Sequence, residues 1–406
     1  MMTDPLRTTW GFSTAGRVLF GRGAVDQIGK VVERLRSRRA LIVTDPAIAA
    51  AGVVDRVAGP LTAMGVAVEV FDGGTPEPSF DIAQQAIAFA RECEPDTIIG
   101  VGGGSNMDLA KVTAVGATYG GDFDQYIDYD NIPGPVRPLI CVPTTAGTGS
   151  EVSHSAVLTD TVNNIKVSTL SEYLRPRYAI VDPELTRSCP RKPTADAGID
   201  ALTHAIEAYL ATRYDELPIP AGSRFPYEGA HPLGQALAEQ AIRLVGQYLI
   251  RVVHEPDDIQ ARGGMALAAM LAGMAFSNCG VALVHGMEYP LGGALHCSHG
   301  EGNGLLLPYV MRFNLPERTA ELARIASLLG EDVSGLAEEA AAERAIDVVM
   351  ELNRSIGIPT RIRELGGTRE QLPEFARKAF AIKRLTTLTP RRPSEADILA
   401  IYEEAF

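Results

Sequence analysis

Apolar and polar positions in the first half of the chain follow two alternating rhythms. RALIVTD (39–45), VAVEVFDG (66–73), DTIIGVGGG (96–104) and PLICVPTT (138–145) are short apolar runs rich in β-branched residues, and they predict strands. Between them, VVDRVAGPLTAMG (53–65), FDIAQQAIAFAREC (80–93) and NMDLAKVTAVGATYG (106–120) place apolar residues at helical spacing. Strands alternating with helices predict βαβ units and a parallel sheet. From about residue 186 the rhythm changes. A proline-bearing connection leads into long Ala/Leu/Glu/Arg-rich stretches at 197–211, 234–253, 258–276 and 318–330. The pattern predicts an α/β nucleotide-binding domain at 1–185 and an all-helical domain at 186–406. A Pro/Gly-rich segment, 213–234, interrupts the helices and reads as a lid or a packed surface loop.

Composition narrows the class. The chain of 406 residues is 46% apolar and 21% charged, ordinary for a globular protein with sizeable cores. A net charge of −13 argues against nucleic acid and anionic membrane as partners. No sequence run approaches the ~18 apolar residues of a membrane span, and no basic, then apolar leader opens the sequence. Cys93, Cys141, Cys189, Cys279 and Cys297 form no CxxC pair. They read as reduced thiols, so the expected compartment is the cytoplasm.

Two polar loops carry candidate nucleotide chemistry. Gly102, Gly103 and Gly104 lie between a strand and a helix start, where a bare backbone and free N–H groups suit a phosphate. GxGxxG anchored at Gly102 would need a glycine at Met107, so this is not the usual dinucleotide fingerprint. Asp45 precedes the glycines instead of following them by about 20 residues. It reads either as a partner of a ribose 2′-OH, which favours NAD over NADP, or as a cap of the next helix. In PTTAGTGSEV (143–152), Thr144, Thr145 and Thr148 offer hydroxyls at the end of a strand. Lys166 reads as a phosphate contact or as a solvated side chain.

The histidines carry candidate metal chemistry. Asp200 and His204, four apart, share one helical face and can clamp one ion. Asp196 reads as a cap of that helix. His285, His296 and His299 cluster in VHGMEYPLGGALHCSHGEGNG (284–304). Pro290, Gly292 and Gly293 predict a break between His285 and His299. Spacing does not choose between His296 and His299. His154, His231 and His254 stand apart and read as structural.

VLFGRGAVDQIG (18–29), GGGSNMDLAK (102–111), PTTAGTGSEV, DAGIDALTHAIEAY (196–209) and VHGMEYPLGGALHCSHGEGNGLLLPYVMRFN (284–314) together resemble the iron-containing (group III) alcohol dehydrogenases. The resemblance runs from about residue 17 to the C-terminus. It implies a dehydroquinate synthase-like fold and an enzyme that moves a hydride between an alcohol or hydroxyacid and NAD, with NADP less favoured. It implies Fe²⁺, or Zn²⁺ in its place, on Asp200, His204, His285 and His299, with His296 outside the ligand set. It also implies cofactor contacts at Asp45, Gly103, Gly104, Ser105, Asp108, Thr144, Thr145, Thr148 and Lys166, a small-molecule substrate and a homo-oligomer. Tyr289 stands where many members have a further histidine, and it becomes the candidate catalytic residue. Tyr289, Glu77-Pro78-Ser79 and the 213–234 insertion resemble the hydroxyacid–oxoacid transhydrogenase branch, which adds 4-hydroxybutyrate with 2-oxoglutarate as an alternative reaction.

Overall fold

A computed structural model describes residues 7–161, 165–220 and 222–406. The chain forms two compact units. One is Ser13–Cys189; the other is Pro190–Phe406 together with the segment that ends at Phe12. The division thus falls after Cys189 rather than after residue 185. Residues 7–12 belong with the helices, because Arg7 donates to the Tyr227 carbonyl and Glu228, and Trp10 stacks on His231 at 4.2 Å.

The α/β unit contains, in order, β1 (Val18–Phe20), α1 (Ile28–Leu35), β2 (Arg39–Val43), α2 (Pro46–Ala50), α3 (Val53–Ala63), β3 (Ala67–Phe71) and α4 (Phe80–Cys93). It continues with β4 (Thr97–Gly102), α5 (Gly104–Tyr119), β5 (Asp128–Tyr129), β6 (Leu139–Pro143), β7 (Ser155–Asp160), β8 (Ile165–Leu170) and β9 (Tyr178–Val181). Six strands form one sheet in the order β1-β9-β6-β4-β2-β3, every neighbouring pair parallel. Successive side chains alternate between its faces. Leu41, Val43 and Ile98 pack with α4 and α5, while Ala40, Ile42 and Ile99 pack with α1 and α3. Burial on both faces explains why these strands read as continuous apolar runs.

The chain leaves β2 toward β3 on one side, whereas β4 leads to β6 on the other. The carboxyl ends of β2 and β4 therefore flank a topological switch point, where such sheets bind ligands. A second, three-stranded sheet, β5-β8-β7, pairs β7 with β8 antiparallel. The local pattern did not predict it.

The helical unit contains α6 (Arg191–Leu210), α7 (Pro232–His254), α8 (Ile259–Cys279), α9 (Leu283–Leu295) and α10 (His299–Asn314). It ends with α11 (Thr319–Leu328), α12 (Glu338–Ile356), α13 (Leu372–Ala381), α14 (Lys383–Leu388) and α15 (Glu395–Ala405). Among the described residues α8 alone is long and apolar enough to cross a membrane, and 61% of its apolar window is buried inside the protein.

One sequence expectation is corrected here, and another holds at a shifted position. Helix α6 begins at Arg191, not near Asp196, because Pro193 sits in its first turn, where a missing N–H costs nothing. The break predicted between His285 and His299 is present and puts them on successive helices, α9 and α10, but it comes at His296, whose φ is +55°, and α9 runs through Pro290. Burial of Leu283–Glu288 and Leu291 outweighs the single lost hydrogen bond. The described residues of the 213–234 segment form a loop up to the start of α7 at Pro232, closed at its base where Tyr214 N donates to Ala230 O and Ala230 N to Thr212 O. Gly229, at φ +83°, is required there because a Cβ would stand 2.6 Å from the Thr212 carbonyl oxygen.

Candidate metal centre and nucleotide loops

Helix α6 presents Asp200 and His204 one turn apart, as their spacing predicts. Helix α9 brings His285 to them. One ligand atom from each of Asp200, His204 and His285 lies within 4.8 Å of the others, and all three residues are buried. Asp200 Oδ1 is 3.9 Å from His285 Nε2, and Asp200 Oδ2 is 3.7 Å from His204 Nδ1. The His204 ring is sandwiched between Phe276 (4.2 Å) and His285 (4.7 Å), which fixes its plane.

His299, the first residue of α10, stands beside this trio and outside its 4.8 Å group. Its ring centroid lies 5.2 Å from that of His285, and its side chain keeps 32% exposure. Tyr289, one turn beyond His285 on α9, places its ring 6.0 Å from His299. His296 is exposed at the helix C-cap and stays out of the cluster.

Buried carboxylates aim the rings. His285 Nδ1 donates to Glu207 Oε2 and His299 Nδ1 to Glu288 Oε2, each at 2.5 Å. A carboxylate only accepts, so Nδ1 carries the proton and Nε2 keeps its lone pair, the tautomer a metal needs. The Asn303 amide agrees with this. Its Nδ2 donates to Asp200 Oδ1 at 2.8 Å and lies 3.2 Å from Nε2 of both His285 and His299. Burial raises the Asp200 carboxyl pKa, and the Asn303 amide that donates to it acts in the opposite direction.

Asp196 is no cap. It accepts from Lys192 Nζ and from Ser298 Oγ, and so ties α6 to the residue before His299. A carboxylate with neutral imidazoles whose Nε2 atoms carry no proton is the donor set of a Zn²⁺ or Fe²⁺ site, so the residues present fit a divalent metal. Glu207, Glu288 and Asn303 were missed in the sequence. Each lies three or four residues from a ligand candidate on the same helix, and that spacing was the available signal.

The α/β unit gathers the nucleotide candidates. Gly103 caps α5 without any side-chain hydrogen bond, leaving the helix N–H groups open. Gly102 sits at φ +143°, and a Cβ on Gly104 would meet Thr148 Cγ2 at 2.6 Å. Thr144 is buried, and its Oγ1 has no hydrogen-bond partner. Thr145 and Thr148 are part-exposed in the same loop. An open helix end beside glycines and an orphaned hydroxyl fit a phosphate-bearing cofactor.

Asp45 does cap α2: its Oδ1 accepts from Ala47 N and Ile48 N. Its Oδ2 accepts from Asn106 Nδ2 at 2.6 Å, across the switch point between β2 and β4. Ser105 Oγ accepts from Glu77 N. Two other candidates already have protein partners. Asp108 accepts from Ser150 Oγ and Val157 N, and Lys166 Nζ pairs with Glu77 at 2.7 Å.

The comparisons with known proteins match this division of chemistry. Residues 15–183 match the family model for iron-containing alcohol dehydrogenase, and residues 224–406 match that for the C-terminal part of the Fe-containing alcohol dehydrogenase family. Long-chain-alcohol dehydrogenase 1 of Geobacillus thermodenitrificans is 41% identical over 392 residues, covering 95% of this chain and 94% of that one. NAD-dependent methanol dehydrogenase of Bacillus methanolicus is 37% identical, covering 95% and 97%. A crystal structure of 1,3-propanediol oxidoreductase superposes with a TM-score of 0.91 at 36% identity, covering 98% of this chain and all of that one. These chain-length likenesses to alcohol dehydrogenases outweigh three local features, and the transhydrogenase alternative is not supported. The chain belongs to the iron-containing alcohol dehydrogenase family, and it is an enzyme of that class.

Proposed function

We propose that the protein interconverts small alcohols and their aldehydes or ketones, with NAD as hydride partner and Fe²⁺, or Zn²⁺ in its place, as metal. The observation that carries this reading is the buried convergence of Asp200, His204 and His285, with His299 alongside and carboxylates on the outer ring nitrogens. A divalent ion held by Asp200, His204, His285 and His299 supplies Lewis acidity toward an alcohol or carbonyl oxygen. The nicotinamide supplies the hydride chemistry.

The chain's own residues do the rest. Glu207 and Glu288 hold the Nδ1 protons and so keep Nε2 of His285 and His299 available. Asn303 fixes Asp200. Tyr289 is assigned to handle the substrate's proton beside His299. Gly103, Gly104, Ser105, Thr144, Thr145 and Thr148 form the phosphate-binding surface. Asp45, held by Asn106, retains lone pairs for a ribose 2′-OH and repels a 2′-phosphate, which favours NAD. Asp108 and Lys166 are assigned to shaping these loops. All five cysteines are free, which supports a reducing, cytoplasmic setting.

The test is turnover of a panel of primary alcohols and diols by metal-reconstituted protein with NAD or NADP. Metal-dependent turnover with NAD preferred is expected. Turnover that is insensitive to chelation, or that needs no nicotinamide, overturns the proposal.

A further inference from the structure

Helices α8 and α9 are joined by a short turn, residues 280–282. The turn lies between contacts to two ligand candidates. Before it, Phe276 stacks on the His204 ring at 4.2 Å; after it, Glu207 holds Val284 N, and His285 follows. Gly280 sits at φ +99°, and a Cβ there would stand 2.5 Å from Leu388 Cδ1 and 3.0 Å from Tyr227 Cγ, so both side chains press on the turn. Glu228 N also donates to the Asn278 carbonyl at 2.7 Å. Tyr227 and Glu228 are themselves held by Arg7, whose planar fork reaches several acceptors at once. Its Nη1 donates to the Tyr227 carbonyl at 3.2 Å and to Glu228 Oε2 at 3.1 Å, and its Nη2 to the Ser223 carbonyl at 3.4 Å. A second path runs beside the first. Trp10 stacks on His231, whose Nδ1 accepts from Gly234 N, and a Cβ on Gly234 would stand 2.2 Å from Sγ of Cys279, the last residue of α8. Arg7 and Trp10 both precede residue 15, where the family match begins.

We infer that Arg7 is a positioning residue for the metal centre: by clasping residues 223–228 against the α8–α9 turn, it sets how His204 and His285 approach one another. The inference rests on the metal reading proposed above. Arg7 touches neither metal nor substrate in this assignment; it acts through Tyr227, Glu228 and the turn. Coupling between two sites is reciprocal, so a bound ion tightens the N-terminal segment as much as that segment tightens the ion.

The test uses the full chain and two variants, Arg7→Met and Arg7→Lys, with Zn²⁺ as the ion. Zn²⁺ dissociation constants come from competition with a chelator, alongside melting temperatures of the metal-free proteins. Arg7→Met should bind Zn²⁺ at least about fivefold more weakly, the low end of ordinary coupling between sites. Arg7→Lys, which keeps the charge without the fork, should recover part of that loss. In the parent, Zn²⁺ loading should slow amide hydrogen exchange across residues 7–12 and 223–231. A clasp of purely structural value would lower the melting temperature, keep Zn²⁺ affinity within about twofold of the parent and leave that exchange unchanged, and this result overturns the inference. If Arg7→Met fails to fold, Glu228→Gln decides by the same affinity criterion. A parent chain that binds no Zn²⁺, or binds it equally well after His285→Ala, overturns the metal reading, and this inference with it.

Discussion

Glu207 Oε2 and His285 Nδ1 lie 2.5 Å apart in the buried interior, although 78 positions separate the two residues in the chain. Glu207 Oε1 also accepts from Val284 N, so one carboxylate fixes both the ring and the first turn of α9. Glutamine keeps only one acceptor oxygen. Glu207→Gln should therefore cost about 10–100-fold in metal affinity, the usual penalty for losing such a partner. Titration against a competing chelator measures it, and unchanged affinity would show that the carboxylate does not govern the ring.

His299 and His296, three residues apart, separate by geometry. His299 turns toward the Asn303 amide beside His285, whereas His296 is an exposed helix cap. His299→Ala should lose bound metal on purification or dialysis, and His296→Ala should retain it. The opposite pattern in metal analysis would break the ligand assignment.

Gly102 and Gly103 should differ sharply. A Cβ on Gly102 would stand 2.1 Å from Asn106 Nδ2 on a backbone at φ +143°. Gly102→Ala should lower unfolding free energy by about 1–3 kcal/mol through backbone strain, and it should displace Asn106 from Asp45. At Gly103 a Cβ meets only Thr145, at an ordinary 3.5 Å, so Gly103→Ala should fold almost unaffected. Thermal unfolding and NAD titration of the pair check both statements.

Acid stability should depend on His231. Its Nδ1 accepts from Gly234 N at the start of α7, its ring is buried against Trp10, and burial holds its pKa down at about 4. The unfolded value is near ~6.5. Because the folded value is the lower one, this contribution is complete above about pH 6.5 and is lost as pH falls through 4, by at most ~1.4 kcal/mol per pH unit. His231→Asn keeps a capping oxygen without the titration. Its melting temperature should fall less than the parent's between pH 7 and 4.5, and an equal fall would assign the acid sensitivity elsewhere.

Sequence legibility followed the range of the interactions involved. Helix α4 occupies the predicted residues 80–93, because an amphipathic period and the Ser79 cap are both local. The Asp200–His204 pair was visible for the same reason. The β7–β8 sheet was not, since its pairing depends on burial that the local pattern does not encode. The helical spacing of 106–120 does not show which of its faces are covered; α5 is buried continuously from Leu109 to Gly116, Lys111 included. Asp45 was left between a ribose partner and a helix cap. The cap is observed, and the second carboxylate oxygen, held by Asn106, faces the β2–β4 crevice where the ribose role is proposed.

The helical unit is interrupted in the chain by the whole of Ser13–Cys189. On the ribosome, Arg7 and Trp10 emerge before the α/β unit, yet Glu228 and His231, against which they settle, emerge more than two hundred residues after them. The contiguous α/β unit can form in the interval, as domains usually fold in order of synthesis. Closure of the helical unit then becomes a late, long-range event. Trp10 is the single tryptophan, so its emission would time that last step of folding without any added label.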